Sequence, residues 1–250
     1  MRSRVCGVVA AIVVCLASVL TAGCGLGEGQ GITADYPDSK LAAAVLDDNG
    51  AKVTKLIHNG ANVNGVGKRD VSLLQLAVLK DRHAAFVALL NAGADTSHHD
   101  KQGETVLHTA TRTDKPEYMN ELLARHLDVN VVDTDNRTPL MLAALFNTAP
   151  QMHALIAAGA NLEVASANGD TALIIAAAAN SFDRVLELLH AGANPLAGHR
   201  IQGKPDTTFW GFANMTPDKV LSADAKRKKA EMREFLEAHH YPVEATLPQK

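Results

Sequence analysis

Aromatic residues and charge of one sign are both scarce in this sequence. Phe, Trp and Tyr make up 4% of the 250 residues, and the formal net charge is only -3. With so few large rings, a core has to be built from the Ala and Leu that crowd the second half of the chain, and both are strong helix formers. The lack of a basic excess excludes an electrostatic footprint for nucleic acid. The composition therefore favours an all-α protein that does not bind nucleic acid.

Cysteine is missing from the body of the chain. The three cysteines all lie near its start, at Cys6, Cys15 and Cys24. We therefore expect no disulfide bond in the folded part. An almost uncharged apolar run at residues 5–20 follows Arg2 and Arg4 and ends in small residues, which is typical of a secretory signal peptide. The run is shorter than the ~20 apolar residues that span a bilayer, so a removable signal over residues 1–23 is favoured over a permanent transmembrane anchor.

The last of these cysteines stands in a bacterial lipidation motif. The sequence LTAGC at residues 20–24 resembles the lipobox of bacterial lipoproteins, although Thr21 stands where Leu is more usual. The resemblance implies that Cys24 is lipidated and becomes the new N-terminus, and the alternative is ordinary signal cleavage that leaves a free thiol. Residues 24–37 include a glycine-rich stretch and are predicted to form a flexible tether. Gly25 after the cysteine resembles lipoproteins of the outer membrane, which implies a location in a Gram-negative cell envelope, facing the periplasm.

A 33-residue repeat runs through the rest of the chain. Glycines that follow apolar segments recur with this period at Gly60, Gly93, Gly159 and Gly192, with His126 at the middle position. Helix-opening motifs recur with the same period: SLLQLA at 72–77, TVLHTA at 105–110, TPLMLA at 138–143 and TALIIA at 171–176. In each motif the first hydroxyl is placed to cap a helix, and Pro139 stands where a helix needs no N–H. The glycines are placed to end helices with a left-handed backbone.

These motifs resemble the ankyrin-repeat family, whose 33-residue unit is a β-turn followed by two helices and opens on Thr-Pro-Leu-His-x-Ala. The resemblance covers nearly all of residues 38–250. It implies an all-α ankyrin-repeat solenoid of helix-turn-helix units with short β-turn fingers, of about six repeats including degenerate caps. Repeats 1–5 are expected over residues 38–198, beginning with an atypical repeat at 40–64. An enlarged sixth repeat with a C-terminal cap is expected over residues 199–250.

The turns of the repeats lead to further structural expectations. Asp or Asn recurs where the family commonly has Gly between its two helices, at Asp48, Asp81, Asp114, Asn147 and Asn180. Because Asp and Asn tolerate a left-handed backbone, we expect the same turn in every repeat. At His126 the missing glycine predicts local strain or a shifted helix end. In the sixth repeat, alignment places His239 opposite Gly192 and predicts a helix start at 216–218 and a long final helix over 223–239.

No catalytic or cofactor-binding pattern stands out in the sequence. It has no nucleophile elbow, phosphate loop or zinc-protease motif, so we predict a protein that is not an enzyme and has no cofactor. The pairs His98-His99 and His239-His240 have no third ligand nearby in sequence, which argues against a metal site. His108 is expected to bind neighbouring backbone at a helix start and not to act as a general base.

Two further clusters are better explained by structure than by function. The basic run KRKK at residues 226–229 is a candidate patch for anionic lipid, but acids on the same predicted helix favour a solvated face. Phe209, Trp210 and Phe212 are candidates for a ligand pocket. They occupy core positions of the last repeat, however, and a core role is favoured.

A protein-binding surface is implied by the family resemblance, because arrays similar to this one bind partners along a concave surface of finger tips and first-helix positions. The protein-binding residues predicted on this basis are Leu79, Lys80, Lys101, Gln102, Arg112, Thr113, Asp135, Arg137, Leu145, Phe146 and Asn168. Leu145 and Phe146 are of particular interest, since apolar anchors flanked by charge are typical of binding hot spots. The alternative is that neighbouring helices bury them.

The sequence therefore favours a non-enzymatic protein-binding scaffold, held at the membrane of the cell envelope by its lipid anchor alone. The partner suggested by resemblance is a toxic secreted or injected enzyme, since some envelope ankyrin proteins resemble inhibitors or immunity proteins for lipases. The competing interpretation is a chaperone or assembly factor for a periplasmic enzyme, such as a stress-defence enzyme. Less favoured are a cryptic hydrolase that uses His199, Asp206 and His239, and an injected host-directed effector, against which the lipobox argues.

Overall fold

The computed structural model describes residues 33–146, 148–198, 209, 213 and 217–241. Over these residues the backbone forms eleven α-helices and no β-strand, with one isolated β-bridge between Val66 and Ser72. The predicted all-α class is therefore confirmed for the described part of the chain. The chain divides into two compact units, one ending at Asp95 and the other beginning at Thr96.

The first unit consists of two helix pairs. Helices α1 (Ser39–Leu46) and α2 (Gly50–His58) form one pair, and α3 (Leu73–Leu79) and α4 (His83–Asn91) form the other. Corresponding helices pack side by side, α1 against α3 and α2 against α4. A 3₁₀ turn at Lys68–Asp70 lies in the connection between the pairs. All four helices contribute side chains to the buried core, among them Leu41, Val53, Leu74, Phe86 and Leu89.

The second unit repeats this pairing three times and ends in a longer helix. Its pairs are α5 (Val106–Thr111) with α6 (Pro116–Leu123), α7 (Pro139–Phe146) with α8 (Ala149–Ala157), and α9 (Ala172–Ala178) with α10 (Phe182–His190). The final helix, α11 (Ala223–Ala238), packs against α10. Helix α7 packs against α5 on one side and α9 on the other. Because it is apolar on every side, α7 is buried along its length except at its C-terminal end.

In the four pairs from α3 to α10, the first helix begins directly after the hydroxyl residue that the repeat predicts, whereas α1 is capped by Asp38. The Ser72 Oγ accepts a hydrogen bond from the Gln75 N–H at 3.1 Å, and the Thr171 Oγ1 accepts one from the Ile174 N–H at 3.4 Å. Pro139 is the first residue of α7, as predicted. Helices this short are marginal in isolation, and a capping hydroxyl stabilises a helix by about 1 kcal/mol. The caps therefore help to determine where each helix starts.

The second helix of each pair ends at a residue with a left-handed backbone. The glycines predicted for this role all have positive φ: 93° at Gly60, 80° at Gly93, 84° at Gly159 and 96° at Gly192. His126 takes the same conformation with φ of 54°, which is uncommon for a residue with a Cβ. Helix α6 ends at Leu123, one residue farther from His126 than the other second helices end from their glycines. The strain and the shifted helix end expected at His126 are both confirmed.

The turn between paired helices has the same geometry in the first, second and fifth repeats, and a different geometry in the third repeat. Its left-handed residues are Asp48, Asp81 and Asn180, with φ of 50°, 53° and 56°. Asp114 is not left-handed, so the expectation of one turn throughout is wrong at this repeat. There the Thr113 hydroxyl lies 3.0 Å from the Ala110 carbonyl oxygen and 3.4 Å from the Lys115 backbone nitrogen, and these local bonds shape the turn instead. Asn147 lies outside the described residues.

The final helix is present where the sequence predicts it, with one difference at its end. Ser222 caps α11, its Oγ accepting a hydrogen bond from the Ala225 N–H at 3.1 Å. A 3₁₀ turn at Asp218–Val220 precedes this cap. The left-handed residue after α11 is His240, with φ of 59°, and not His239. The alignment of the sixth repeat is therefore one residue out, because the exact length of a helix leaves no mark in the sequence where the terminating glycine is missing.

The core of the last repeat includes part of the predicted aromatic cluster. Phe209 is 1% exposed and Ala213 is fully buried, as are Met232 and Leu236 on α11. The core role predicted for Phe209 is confirmed. Several other expectations concern positions outside the described residues, namely the signal peptide at 1–23, Cys24, the tether as far as residue 32, His199, Asp206, Trp210 and Phe212.

Candidate interaction surface

The finger turns that precede the first helices of the second unit are closed by a side chain at a fixed position. This position is Asp100, Asp133 or Ser166, which recur with the 33-residue period. Asp100 Oδ1 accepts hydrogen bonds from the N–H of Gln102 at 2.8 Å and of Glu104 at 3.0 Å, and Asp133 binds the two corresponding N–H groups. The sequence-based prediction does not include these residues. Their regular spacing is the signal that would have found them.

The fingers of the second unit are joined into a row by backbone hydrogen bonds. The carbonyl oxygen of Gln102 accepts from the N–H of Thr134 at 3.0 Å and from its hydroxyl at 2.9 Å. One finger further on, the carbonyl oxygen of Asp135 accepts from the N–H of Ala167 at 2.8 Å. The predicted finger residues whose side chains are exposed along this row are Lys101, Gln102, Asp135 and Asn168. Backbone bonding thus holds the fingers in place while their side chains face solvent.

Beside the first of these fingers, a buried carboxylate holds an arginine. Glu104 is 7% exposed, and it accepts a hydrogen bond within an ion pair from Nη1 of Arg112. Arg112 directly follows α5, and its side chain is 23% exposed. Because Glu104 holds it, the guanidinium of Arg112 has a fixed direction and is still partly open to solvent. Glu104 also acts on the nearby Asp100: burial raises the pKa of the Asp100 carboxyl, and the negative charge of Glu104 acts in the same direction.

The next repeat holds its arginine between two carboxylates. Nε and Nη2 of Arg137 each lie 2.7 Å from Oδ2 of Asp133, whose side chain is fully buried. Nη2 also lies 3.2 Å from Oδ2 of Asp135, whose side chain is 65% exposed. Arg137 itself is 32% exposed. One guanidinium thus bridges an inner and an outer carboxylate, neither of which was connected with it by the sequence-based prediction.

His108 lies in the same region and is completely buried. Its Nδ1 accepts a hydrogen bond from the Thr105 N–H at 3.1 Å, so Nε2 carries the proton and donates to the Arg137 carbonyl oxygen at 3.0 Å. Burial lowers the pKa of His108. The predicted binding of His108 to neighbouring backbone is confirmed. Since both ring nitrogens are used in this way, the neutral ring has no acceptor to offer a substrate.

The two apolar residues of greatest interest in the sequence lie at the C-terminal end of α7. Leu145 and Phe146 are both half-buried, whereas the preceding six residues of the helix are buried. They are neither the fully exposed anchors of one expectation nor the fully buried side chains of the other. Leu145 stands one repeat after Arg112 in the 33-residue register, and α5 packs against α7. The structure therefore places an apolar position on the helix that neighbours the oriented arginine.

The remaining predicted residues contribute in different ways. Leu79 and Lys80 belong to the first unit, where Leu79 is 46% exposed and Lys80 is half-buried. Thr113 is half-buried, its hydroxyl bonds within its own turn, and its carbonyl oxygen accepts from Nε2 of the buried Gln151 at 2.6 Å. Thr113 is therefore a structural residue of the turn, and its assignment to the binding surface is not supported by these contacts.

The histidines near the C-terminal end of the described chain pack against an aromatic ring. His239 stacks on Phe235 with ring centroids 4.1 Å apart, and His190 meets the same ring edge-on at 4.9 Å. A cavity of about 280 Å³ lies beside these side chains and Tyr241. Across the residues that the structure describes, no group of three or more His, Cys, Asp or Glu side chains is placed to hold a metal ion.

The basic run on α11 is paired with acids. Lys228 Nζ lies 2.8 Å from Asp183 Oδ1 on α10, and Lys229 Nζ lies 2.8 Å from Asp218 Oδ1. Arg227 pairs with Asp224 one turn away. These contacts support the interpretation of a solvated, charge-balanced helix face. Within the described ranges, no helix is both long enough and apolar enough to cross a membrane.

Comparison with known proteins agrees with the repeat structure. A protein-family model described as ankyrin repeats, in three copies, matches residues 41–133 and again residues 114–198. The two matches together cover more than half of the 250 residues. No curated protein matches the chain.

Proposed function

The chain belongs to the ankyrin-repeat family of protein-interaction scaffolds, and we propose that its second unit binds a protein partner along the fingers and the ends of α5 and α7. The observation that carries this proposal is the combination of oriented Arg112 and Arg137 with half-buried Leu145 and Phe146. Arginine and large apolar side chains supply much of the binding energy at protein interfaces. Side chains already held in one orientation lose little entropy on binding, which favours affinity.

In this proposal the protein acts by binding alone and is not an enzyme. The histidine in this region, His108, uses both ring nitrogens for backbone hydrogen bonds. The carboxylates of Glu104 and Asp133 are engaged by arginines. Groups occupied in this way support the shape of the surface and are poorly placed for proton transfer to a substrate.

The proposed location is the envelope of a Gram-negative bacterium. It is supported by the apolar run at residues 5–20, the lipobox-like sequence that ends at Cys24, and the glycine-rich stretch that follows it. Lipid on Cys24 would anchor the protein, and the glycine-rich segment after it would let the repeats reach partners near the membrane surface.

The partner that we propose is a secreted or injected enzyme, which the scaffold neutralises by covering its surface. This part of the proposal rests on the resemblance to envelope ankyrin proteins of the inhibitor or immunity type. A row of fingers held by backbone hydrogen bonds suits this role, because a binder that is already ordered loses little conformational entropy when it binds a folded enzyme.

A crosslinking capture experiment tests the binding surface. The full chain, tagged at its C-terminus, is expressed in a Gram-negative bacterium and crosslinked in envelope and secreted fractions, alongside Phe146→Asp. We expect a specific enzyme to be recovered with the wild-type chain and to be lost with Phe146→Asp, because a charge at this half-buried site costs the apolar contact.

Leu196→Asp is the matched control, since Leu196 is 56% exposed and follows α10, so it belongs neither to the proposed fingers nor to the ends of α5 and α7. Thermal unfolding of each variant separates loss of binding from loss of fold. Equal recovery by the wild-type chain and a folded Phe146→Asp variant would contradict the assignment of the surface. Inhibition of the recovered enzyme by the purified chain would identify the neutralising role, and an enzyme left fully active would exclude it.

A further inference from the structure

The two arginines of the surface differ in how many carboxylates they meet. Arg137 bridges the buried Asp133 and the exposed Asp135, so its guanidinium donates to two carboxylates of the same chain. Among the described residues Arg112 makes an ion pair with one carboxylate, that of Glu104, while Asp100 interacts with it electrostatically without an ion pair. The two arginines are not equivalent in the 33-residue register, since Arg137 corresponds to Glu104 and Arg112 to Leu145.

The side chain of Arg112 is partly open to solvent, with 23% of its surface exposed. Its Nη1 donates to Glu104, and no nitrogen of Arg112 is among the buried side-chain atoms without a partner in the described part of the chain. A guanidinium has five N–H donors in a rigid planar fork that matches a carboxylate with two parallel hydrogen bonds. Because Glu104 is nearly buried and holds one end, the other end is already directed outward.

The charges around Arg112 favour an acceptor that carries negative charge. The Glu104 carboxylate is neutralised by Arg112 itself, and one oxygen of Asp100 is occupied by two backbone N–H groups. Lys101, on the finger of the same repeat, is exposed and adds a positive charge. A carboxylate brought to the open end of Arg112 would therefore form a charge-assisted pair, which is stronger than a hydrogen bond between neutral groups.

An apolar site lies next to this donor. Leu145 occupies the position of Arg112 one repeat later, and Phe146 follows it. Since α5 and α7 pack side by side, the two positions are separated by about the 8–10 Å between packed helix axes. An extended chain covers this distance in about three residues at ~3.3 Å per residue. A single short segment can therefore reach both positions.

We infer that Arg112 is a specificity residue of the binding surface, which pairs with an Asp or Glu of a partner segment while Leu145 and Phe146 receive a large apolar side chain about three residues away. This inference rests on the proposed function and adds the chemistry of the partner. Glu104 is a positioning residue, since it acts by holding Arg112. The occupant is thus a protein segment that combines one carboxylate with one large apolar side chain.

Selection from a displayed library of random 12-residue peptides tests this inference. The full chain and Arg112→Gln are used as separate baits, with Arg125→Gln as the matched control. Arg125 is also partly exposed, at 30%, but it lies after α6 and pairs with Glu121. We expect the wild-type chain and Arg125→Gln to enrich peptides with Asp or Glu about three residues from Leu, Phe or another large apolar residue. Arg112→Gln is expected to keep the apolar preference and to lose the acidic one.

A pair of synthetic peptides then measures the effect. The most enriched peptide and its copy with Asp replaced by Asn are titrated against each variant. We expect the wild-type chain to prefer the acidic peptide about tenfold or more, as for a hydrogen bond between charged groups, and Arg112→Gln to prefer neither. Glu104→Gln is expected to reduce the preference with little change in affinity for the Asn peptide. A preference that stays the same or rises in folded Glu104→Gln would overturn its positioning role.

The possible failures can be told apart. If the wild-type chain enriches peptides without any acidic preference, or if Arg112→Gln keeps that preference, the role of Arg112 is overturned while the proposed binding surface stands. If the folded wild-type chain enriches no peptide, the proposed surface itself loses its support, and the inference falls with it. Melting temperatures of all variants show whether a loss of preference follows from loss of structure.

Discussion

At the scale of single residues, His108 and Gln75 meet the same requirement with different chemistry. Both stand three residues after a helix-capping hydroxyl, and both accept a hydrogen bond from the N–H of that capping residue, Thr105 or Ser72. Gln75 is neutral at every pH. An imidazole can gain a proton near neutral pH, and a protonated Nδ1 can no longer accept the bond. One repeat therefore carries a pH sensitivity that its counterpart lacks.

We predict that the protein loses stability as pH falls below the ordinary histidine pKa of 6.5. Burial lowers the pKa of His108, and this effect outweighs the opposing charges of Glu104 and Asp133. The unfolded state then binds the proton more readily than the folded state. The contribution of His108 is complete above pH 6.5 and decreases as pH falls toward its folded-state pKa, by at most about 1.4 kcal/mol per pH unit. Urea unfolding at pH 7.5 and 5.5 measures this loss.

His108→Gln provides the control, because Gln75 shows that an amide can take the same bonding role. The variant cannot titrate at this position, so its free energy of unfolding should fall less between the two pH values than that of the wild-type chain. An equal fall in both proteins would show that other groups cause the pH dependence.

At the scale of elements, α11 is a long helix with few buried residues. It is long and strongly charged, and its buried residues are Met232 and Leu236. Lys228 adds an ion pair to Asp183 on α10, but partly exposed ion pairs of this kind contribute about 1 kcal/mol or less. Apolar burial therefore dominates the docking of α11.

We predict that Leu236→Ala lowers the free energy of unfolding by about 2–4 kcal/mol, because it removes a fully buried side chain from the α10–α11 contact. Hydrogen exchange should show the loss of protection first in α11, since terminal units of repeat arrays can open separately. Leu196→Ala, at a side chain that is 56% exposed, should change stability by less than about 0.5 kcal/mol. Similar losses in the two variants would contradict the attachment described for α11.

The helical elements also show where sequence patterns succeed. Hydroxyl caps and terminating glycines are local signals, so the helix pairs of residues 39–190 can be located without knowledge of the fold. The signals fail where a local alternative exists. At Asp114 the Thr113 hydroxyl supports a different turn, and after α11 no glycine marks the end of the helix. His126 shows the intermediate case, in which the backbone keeps its conformation despite a Cβ.

At the scale of the whole molecule, the expected anchor is a single residue that precedes the repeats in sequence. If residues 1–23 are removed, Arg2 and Arg4 are lost, and the formal net charge changes from -3 to about -5. A protein with this charge is repelled by anionic lipid, so attachment to a membrane would depend on acyl chains at Cys24.

We predict that Cys24→Ser abolishes incorporation of radiolabelled palmitate and releases the protein from the membrane fraction. Thioether formation needs the cysteine sulfur, and serine offers none. Cys15→Ser is the matched control, because it changes a cysteine within the apolar run and should leave labelling and fractionation unchanged. Labelled, membrane-bound Cys24→Ser would refute the lipidation prediction, and an unlabelled wild-type chain would favour ordinary signal cleavage.

Taken by itself, the sequence determines the repeat, the all-α class and the starts and ends of most helices. The reason is that the capping hydroxyls and terminating glycines recur with the 33-residue period. It also identifies the row of positions in which Lys101, Asp135 and Asn168 are exposed. Only the tertiary structure decides that Arg112 is held by Glu104 and Arg137 by Asp133 and Asp135, and that Leu145 and Phe146 are half-buried. Burial and ion pairing depend on which side chains meet when helices and fingers pack. Periodicity places a residue on a surface, but it does not show which neighbour will take up its charge.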